Sequence, residues 1–238
     1  MRNAFQLAIL GSMQAILTLG CGGAEPQATK VAEVQAPPPA RPKAPAMQMT
    51  SELGFIDPGE TKKAFRALDA EFDRCEEQAV RKLALLSGEL KFFVRVNAQG
   101  QARYAYLLES TVGDRDVEEC FVNAVEHANF PKPQGGEAEV TYRTNLKASP
   151  TRPATEWSAD RVAHLVKRAR NCKDGSSARY QVTMYVGPQG ARNGKVLSVG
   201  VAASETDSDA RVTCIMHAVR SGGVPTPGSW PAKVTFEL

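Results

Sequence analysis

The sequence predicts an α+β protein made of two tandem small domains, each with the order α-β-β-α-β and two helices packed on a three-stranded antiparallel sheet. Two observations lead to this fold class. Stretches with an apolar period of 3.6 residues alternate with stretches of period two. In addition, one set of landmarks occurs twice in the same order, so that Cys120 recurs as Cys214 after 94 residues. A period of this length is a whole domain, which indicates a duplication.

The repeat is defined by short matched motifs rather than by long identities. The matched pairs are Val94-x-Val96 with Met184-x-Val186, Gln99-Gly100 with Gln189-Gly190, Cys120 with Cys214, Phe130-Pro131 with Val224-Pro225, and Val140-Thr141-Tyr142 with Val234-Thr235-Phe236. A further cysteine precedes each copy on a helix-like stretch, at Cys75 and Cys172.

The first copy, residues 58–146, begins with an apolar stripe that predicts one helix over residues 61–86. Alternating apolar residues from Leu90 to Val96 predict a strand, and a turn at residues 97–100 leads into a second strand over 102–110. Asp114 is the expected N-cap of a second helix. The final strand carries Val140, Tyr142 and Thr144.

The second copy, residues 156–238, follows the same order after a linker over residues 147–155. Helices are predicted near 156–172 and 208–220. The apolar sets of Tyr180–Val186 and Leu197–Val201 predict the first two strands, and Val234, Phe236 and Leu238 the last.

The first twenty residues indicate export. Arg2 precedes an apolar run over residues 4–19 that is interrupted by polar residues, too short for a span of about 20 apolar residues but typical of a signal peptide. The following Leu17-Thr18-Leu19-Gly20-Cys21 resembles the lipobox of bacterial lipoproteins. The resemblance implies a signal peptide over residues 1–20, lipidation of Cys21, and anchoring in the cell envelope. Gly22, in place of aspartate, favours the outer membrane, with the protein facing the periplasm.

Residues 21–57 are rich in alanine and proline and have no apolar period, which predicts a disordered tether. Its prolines favour extended polyproline II, so that roughly 30 residues reach up to about 90 Å. A spacer that lifts the domains off a membrane and an inert linker both fit this composition.

Apart from Cys21, the chain has four cysteines, two in each copy. Four cysteines allow three pairings, and the repeat favours Cys75–Cys120 and Cys172–Cys214 because each copy then joins its own two helices. Zinc is the alternative, since Cys214 with His217 and Cys120 with His127 have suitable spacings, but each copy offers too few further ligands. The sequence therefore predicts no metal and no cofactor.

The composition gives little indication of catalysis or nucleic-acid binding. With 29 basic and 26 acidic residues the net charge is +3, without the clustered basic face that nucleic-acid binding requires. No Gly-x-Ser-x-Gly or phosphate-binding loop occurs. The basic amphipathic stretch 161–173 fits either a solvated helix face or contact with anionic lipid headgroups.

The order of motifs resembles the TonB C-terminal-like fold. The resemblance rests on the Cys75 helix, the Gly88 strand, the Gly100 turn, the Asp-x-x-Val-x-x-Cys120 helix, Phe130-Pro131, Gly135-Gly136 and the final strand. It is closest to the cysteine-containing branch at the C-termini of AgmX/PglI-type gliding-motility proteins, and it covers about residues 60–146 well and 156–238 more weakly. Val224 and Ser229-Trp230 depart from the pattern in the second copy.

This resemblance implies a binding module and not an enzyme, because TonB holds an extended peptide by adding it as a strand to its sheet. The binding strands would be the last ones, with Val140, Thr141 and Tyr142 in the first copy and Val234, Thr235 and Phe236 in the second. The unpaired backbone groups of an open sheet edge can pair with a partner strand. The charged side chains of Arg143, Lys233 and Glu237 would blunt these edges, that is, hinder such pairing. The expected function is a protein- or peptide-binding adaptor in the envelope. The alternative is a structural lipoprotein of a multiprotein envelope or motility assembly.

Overall fold

The computed structural model describes residues 53–147, 152–206 and 208–238, which form a mixed α+β protein with two sheets. The predicted signal peptide, Cys21, residues 21–52 of the predicted tether and residues 148–151 of the predicted linker lie outside the described residues. Both sheets belong to one compact unit. We refer to residues 53–147 as the first half and to the described residues from 152 onward as the second half.

The first half contains a three-stranded antiparallel sheet with the strand order β2-β1-β3. Its elements are α1 Pro58–Arg66, α2 Asp69–Lys82, β1 Gly88–Val96, β2 Ala102–Ser110, α3 Arg115–Glu126 and β3 Ala138–Leu146.

The second half contains a five-stranded mixed sheet with the order β4-β8-β5-β6-β7. Its elements are β4 Thr155–Trp157, α4 Ala163–Arg170, β5 Tyr180–Pro188, β6 Asn193–Ala203, α5 Asp209–Arg220, β7 Val224–Pro225 and β8 Ala232–Glu237. Short 3-10 helices at Ala159–Val162 and Asn171–Lys173 flank α4. The pairing of β4 with β8 is parallel and the other pairings are antiparallel.

The local signals that the sequence carries for the first hairpin are confirmed. Leu90, Phe92, Val94 and Val96 of β1 are fully buried on one face. The Asn97 side chain closes the turn by accepting hydrogen bonds from the backbone N–H groups of Gln99 (3.0 Å) and Gln101 (2.9 Å). Gly100 completes it with φ +87°, a conformation that side-chain-bearing residues rarely adopt.

Asp114 is the N-cap of α3, as predicted, and it also joins α3 to α2. Its Oδ1 accepts a hydrogen bond from the backbone N–H of Val117 at 3.2 Å and one from Lys82 Nζ at 2.8 Å. The carboxylate therefore satisfies one of the free N–H groups at the start of α3 and pairs with a cation in the last turn of α2.

The prediction of one helix over residues 61–86 is wrong. The chain leaves the helix at Ala67 and Leu68 between α1 and α2, and α2 ends at Lys82. Phe65 packs against Phe130 and Tyr142, whereas Phe72 packs against Phe92 and Phe121. Leu83 is extended, with φ −156°, and the buried side chains of Leu85 and Leu86 then follow on the way into β1. Packing thus overrides an unbroken helical period.

The prediction of a helix from residue 156 and of a three-stranded second sheet is also wrong. Residues Thr155–Trp157 form β4, and the α-helix begins only at Ala163. The backbone of β4 pairs with residues Ala232–Val234 of β8, and Trp157 packs against the core of the second half. β4 and the two-residue β7 enlarge the sheet to five strands.

Each half has one disulfide between two of its helical segments. Both cysteine pairs are the ones predicted from the repeat. Cys75 of α2 is bonded to Cys120 of α3, and Cys172 after α4 is bonded to Cys214 of α5. Because Cys120 and Cys214 are oxidised, they are not available as the zinc ligands of the alternative considered above.

The two halves contact each other asymmetrically. The outward face of the second sheet, which carries Thr183, Tyr185, Ser198, Gly200 and Lys233, is buried. Thr183 Oγ1 donates a hydrogen bond to the Ser110 carbonyl oxygen at 3.2 Å, and Lys233 Nζ donates one to the Ser87 carbonyl oxygen at 2.8 Å. Opposite Gly200 lies the Glu118 carboxyl of α3, so closely that a Cβ atom on Gly200 would come within 2.2 Å of Oε1.

Removal of either disulfide is expected to lower the free energy of unfolding by up to about 4 kcal/mol. The bonds close loops of 45 and 42 residues, and loops of this length gain about that much in the chain-entropy model. Urea unfolding of the C75A/C120A and C172A/C214A variants measures the loss. Because the loops are similar, the two losses should agree within about 1 kcal/mol, and a large inequality would contradict a purely entropic account.

Gly200→Ala should destabilise the protein by about 1–3 kcal/mol, the usual cost of overpacking a close contact. Gly223→Ala is the matched control, because no atom lies within 4 Å of the added methyl group, and its effect should stay within about 0.5 kcal/mol. Urea unfolding of both variants tests the close packing of β6 on α3. Equal effects would argue against it.

Candidate functional site

The outer edge of β3 is the candidate binding site. β3 is at one side of its sheet and pairs with β1 in an unbroken register over all nine residues, from Gly88 opposite Leu146 to Val96 opposite Ala138. By contrast, the β1–β2 pairing contains two register shifts. A regular outer strand presents every second N–H and C=O group to a further strand.

Among the described residues, only a short segment approaches the outer side of β3, and it does so just before the strand begins. Leu53 bridges Glu137, and Phe55 bridges Gln134. The backbone N–H of Phe55 donates to the Gln134 carbonyl oxygen at 2.8 Å, and the return bond measures 2.9 Å. Among those residues the sheet has no strand beyond Ala138–Leu146.

Apolar side chains lie beside this edge and next to its start. The Tyr142 ring is half-buried and stacks on Phe65 of α1 with 3.9 Å between the ring centroids. Leu53 and Phe55, next to the start of β3, are 46% and 58% exposed. Such apolar side chains at the end of an open edge favour a partner with apolar residues on one face. Both residues fall within the predicted tether, where the composition gives no sign of a site.

The charged side chains of β3 extend across their own sheet instead of covering the edge. Arg143 pairs with Glu89 of β1 and, at 3.2 Å, with Glu109 of β2. Glu139 pairs with Arg95 of β1 at 2.6 Å. The guanidinium group of Arg143, which was expected to blunt the edge, pairs on the side of β3 that faces β1 and β2.

The face of the first sheet that is turned away from its helices, on which Arg143 and Glu139 lie, carries a second group of ion pairs and an aromatic cluster. Arg95 and Arg103 both pair with Glu137, at 2.9 and 3.0 Å, and the hydrogen bond from Arg95 lowers the pKa of the Glu137 carboxyl. The rings of Phe93, Tyr104 and Tyr106 lie 5.0–6.4 Å apart with nearly parallel planes. Burial raises the pKa of the Tyr106 hydroxyl.

The last strand of the second half does not form a comparable edge, which corrects the prediction for residues 232–238. β8 lies between β4 and β5. Val234 and Phe236 are buried, and the Thr235 hydroxyl is hydrogen-bonded to Thr183 at 2.9 Å. Lys233 was expected to blunt an edge and is instead buried against Ser87. The residues before α4 supply the covering strand, and nothing in their composition distinguished this strand from a helix start.

Two adjoining clefts lie where α3 approaches the second half. One, of about 390 Å³, includes four carboxylates with Arg115 in its lining, and the other, of about 480 Å³, is lined by residues of α3 and α5. The four carboxylates are Glu119, Glu126, Glu205 and Asp209. Arg115 pairs with Glu119 at 2.6 Å and with Asp209 at 3.7 Å, so part of this charge is already compensated.

The three histidines form no cluster. His127 and His164 each contact a backbone carbonyl oxygen, of Asn123 and Gly223 respectively, and His217 lines the second cleft. In the described ranges no group of three or more histidine, cysteine or carboxylate side chains has the arrangement of a metal site. In the same ranges no helix has the length and apolar character needed to span a membrane.

Comparison with known proteins gives no relative: no family model matches the chain, and no curated protein or solved structure is significantly similar to it.

Proposed function

We propose that this chain is a non-enzymatic envelope lipoprotein that binds an extended segment of a partner protein by strand addition at the β3 edge. The observation that carries this proposal is the regular nine-residue outer strand, whose charged side chains are engaged on its own sheet. Strand addition obtains its affinity from backbone hydrogen bonds and its specificity from alternate side chains. The proposal needs neither a metal nor a cofactor.

The two faces of β3 define the chemistry of the partner segment. On the helical side, side chains of an added strand would lie near Tyr142, Leu53 and Phe55, which favours apolar residues. On the other side they would lie beside Glu139, Thr141 and Arg143, which favours polar or charged residues. The partner is therefore an amphipathic strand of up to about nine residues, in which apolar and polar side chains alternate.

We further infer that the chain contains two tandem domains of one α-β-β-α-β plan related to the TonB C-terminal-like fold. The order of elements and the equivalent disulfides of the two halves support this inference. In the second copy β4 pairs with Ala232–Val234 of the last strand, whereas β3 has no strand on its outer side among the described residues, so we assign the binding to residues 138–146. In this arrangement the second copy packs against the first and takes no part in binding the partner.

The membrane attachment in this proposal rests on the N-terminal sequence. Lipidated Cys21 would hold the chain at the outer membrane, since several acyl chains anchor stably whereas one binds only marginally. The alanine- and proline-rich residues before Leu53 would then act as the spacer between the membrane and the binding edge, since Leu53 and Phe55 are bridged to the residues before β3.

A structural role in a multiprotein envelope or motility assembly is the second candidate. It is favoured by the partly exposed cluster of Phe93, Tyr104 and Tyr106 and by the ion-paired face around it. This face offers a broad surface for rigid contacts that do not require backbone pairing.

A photo-crosslinking residue at Thr141 should capture a short extended segment of one recurring envelope protein. Thr235 is the matched control, because it has the equivalent place in the repeat but its hydroxyl is hydrogen-bonded to Thr183 on the face of the second sheet that packs on the first half. Crosslinked peptides from cells that express the full chain are mapped by mass spectrometry. Capture at both positions alike, or of lipid and glycan alone, would overturn strand addition and favour the structural role.

Proline substitution along β3 should show a period of two. At every second residue the N–H group faces β1, and proline there removes a hydrogen bond of the sheet. At the alternate residues the N–H group faces outward, and proline there should leave urea unfolding nearly unchanged while reducing crosslinking from a neighbouring position at least tenfold. The pairs to compare are T141P with R143P and Y142P with T144P. Equal behaviour of both pairs would contradict the proposal.

A further inference from the structure

The contact between the two halves contains a fully buried carboxyl group. Glu118 lies on α3 and has no exposed surface. Its Oε1 accepts hydrogen bonds from Ser110 Oγ at 2.6 Å and from the backbone N–H of Gly113 at 3.3 Å. Its Oε2 is buried and has no hydrogen-bond partner among the described residues.

The opposite side of the contact is formed by the second half, and among the described residues no cation of that half forms an ion pair with this carboxyl; Lys233 is bonded to Ser87 instead. Gly200 of β6 lies directly against it. Ser198 lies on the same outward face of β6, and its buried Oγ likewise has no partner in the described ranges. Tyr185 and Lys233 complete this face, and both are hydrogen-bonded to Ser87 of the first half.

The charged groups nearest to Glu118 are on its own half and are already paired. Arg115 pairs with Glu119 and Asp209, and Asp114 pairs with Lys82. Desolvation raises the pKa of the Glu118 carboxyl to about 7, against the lowering effect of the Ser110 hydrogen bond. A neutral carboxyl is less costly to bury than a carboxylate in this contact, where Oε1 accepts hydrogen bonds and the buried Oε2 has no partner among the described residues.

We propose that ionisation of the Glu118 carboxyl loosens the contact between the two halves, so that their association is controlled by pH. In the closed arrangement the protonated carboxyl is packed between α3 and β6. In the ionised state an unpaired buried charge opposes closure, and opening of the contact lets water reach Oε2. The proposal concerns a different surface from the β3 edge and does not depend on the binding function.

The direction of the pH dependence follows from proton linkage. The closed state binds the proton more tightly than an open state in which the pKa has its ordinary value of 4.5. Its stability is therefore fully present below about pH 4.5 and is lost as the pH rises to about 7. Between pH 5 and pH 8 the equilibrium constant for closure should fall about 70-fold.

Hydrogen–deuterium exchange of the full chain, corrected for intrinsic rates, tests this dependence. Between pH 5 and pH 8 the wild-type protein should lose protection in peptides that cover residues 105–118 and 196–202. The core strand β1 serves as an internal reference and should remain protected. In E118Q, which keeps the shape of the side chain but cannot ionise, the pH dependence should disappear.

E119Q is the matched control, because Glu119 is the exposed neighbour on the same helix, and this variant should retain the wild-type pH profile. Identical profiles for wild type and E118Q would overturn the proposal. Should E118Q not fold, a carboxyl-carbon NMR titration of the wild-type protein decides the question. A Glu118 midpoint near 7 supports the proposal, and a midpoint near 4.5 overturns it.

Discussion

The burial of one face of the second sheet against the first half is the constraint on which the rest of the structure depends. A β-sheet has two faces, and in antiparallel sheets one of them is commonly exposed to solvent. Here the inward face of the second sheet packs on α4 and α5, and the outward face packs on α3 and on the residues around Ser87 and Ser110. Gly200 makes this approach possible, because a larger residue would displace the Glu118 carboxyl.

The asymmetry between the two copies of the repeat follows from this contact. The positions that correspond to Thr183 and Gly200 in the first copy are Phe93 and Tyr106, whose rings stand on a face that the second half does not cover. The first sheet thus keeps an outward face and an outer strand that are accessible to other molecules. The second sheet has its outward face buried and its last strand covered by β4. The first half therefore has surfaces available to other molecules, and the second half has few.

Local sequence patterns predict most of the helices and strands of this fold, but they predict less well which of its surfaces are exposed. The strands were predictable because alternation is a local property, and the disulfide pairs because the repeat restricts the choice. The break at Leu68 and the strand at Thr155–Trp157 were not predictable, since both depend on packing partners distant in the chain. The candidate edge at Val140–Tyr142 was placed on the right strand, whereas the equivalent residues Val234–Phe236 were not at an edge. The helical period could have indicated Glu118, because it places this residue on the same side of α3 as Asp114, Phe121 and Val125. A carboxyl group is unexpected on the apolar side of a helix.

The parallel pairing of β4 with β8 has a consequence for the order in which the chain acquires its structure. The first sheet is complete once Leu146 has been made, and its most distant strand pair joins Gly88 to Leu146. The second sheet joins residue 155 to residue 232, and a contact of such long sequence separation forms late because the entropy of closing the loop must first be overcome. We therefore expect the first half to fold before the second. Its surface around Ser110 and Glu118 is then already formed when the second sheet packs against it.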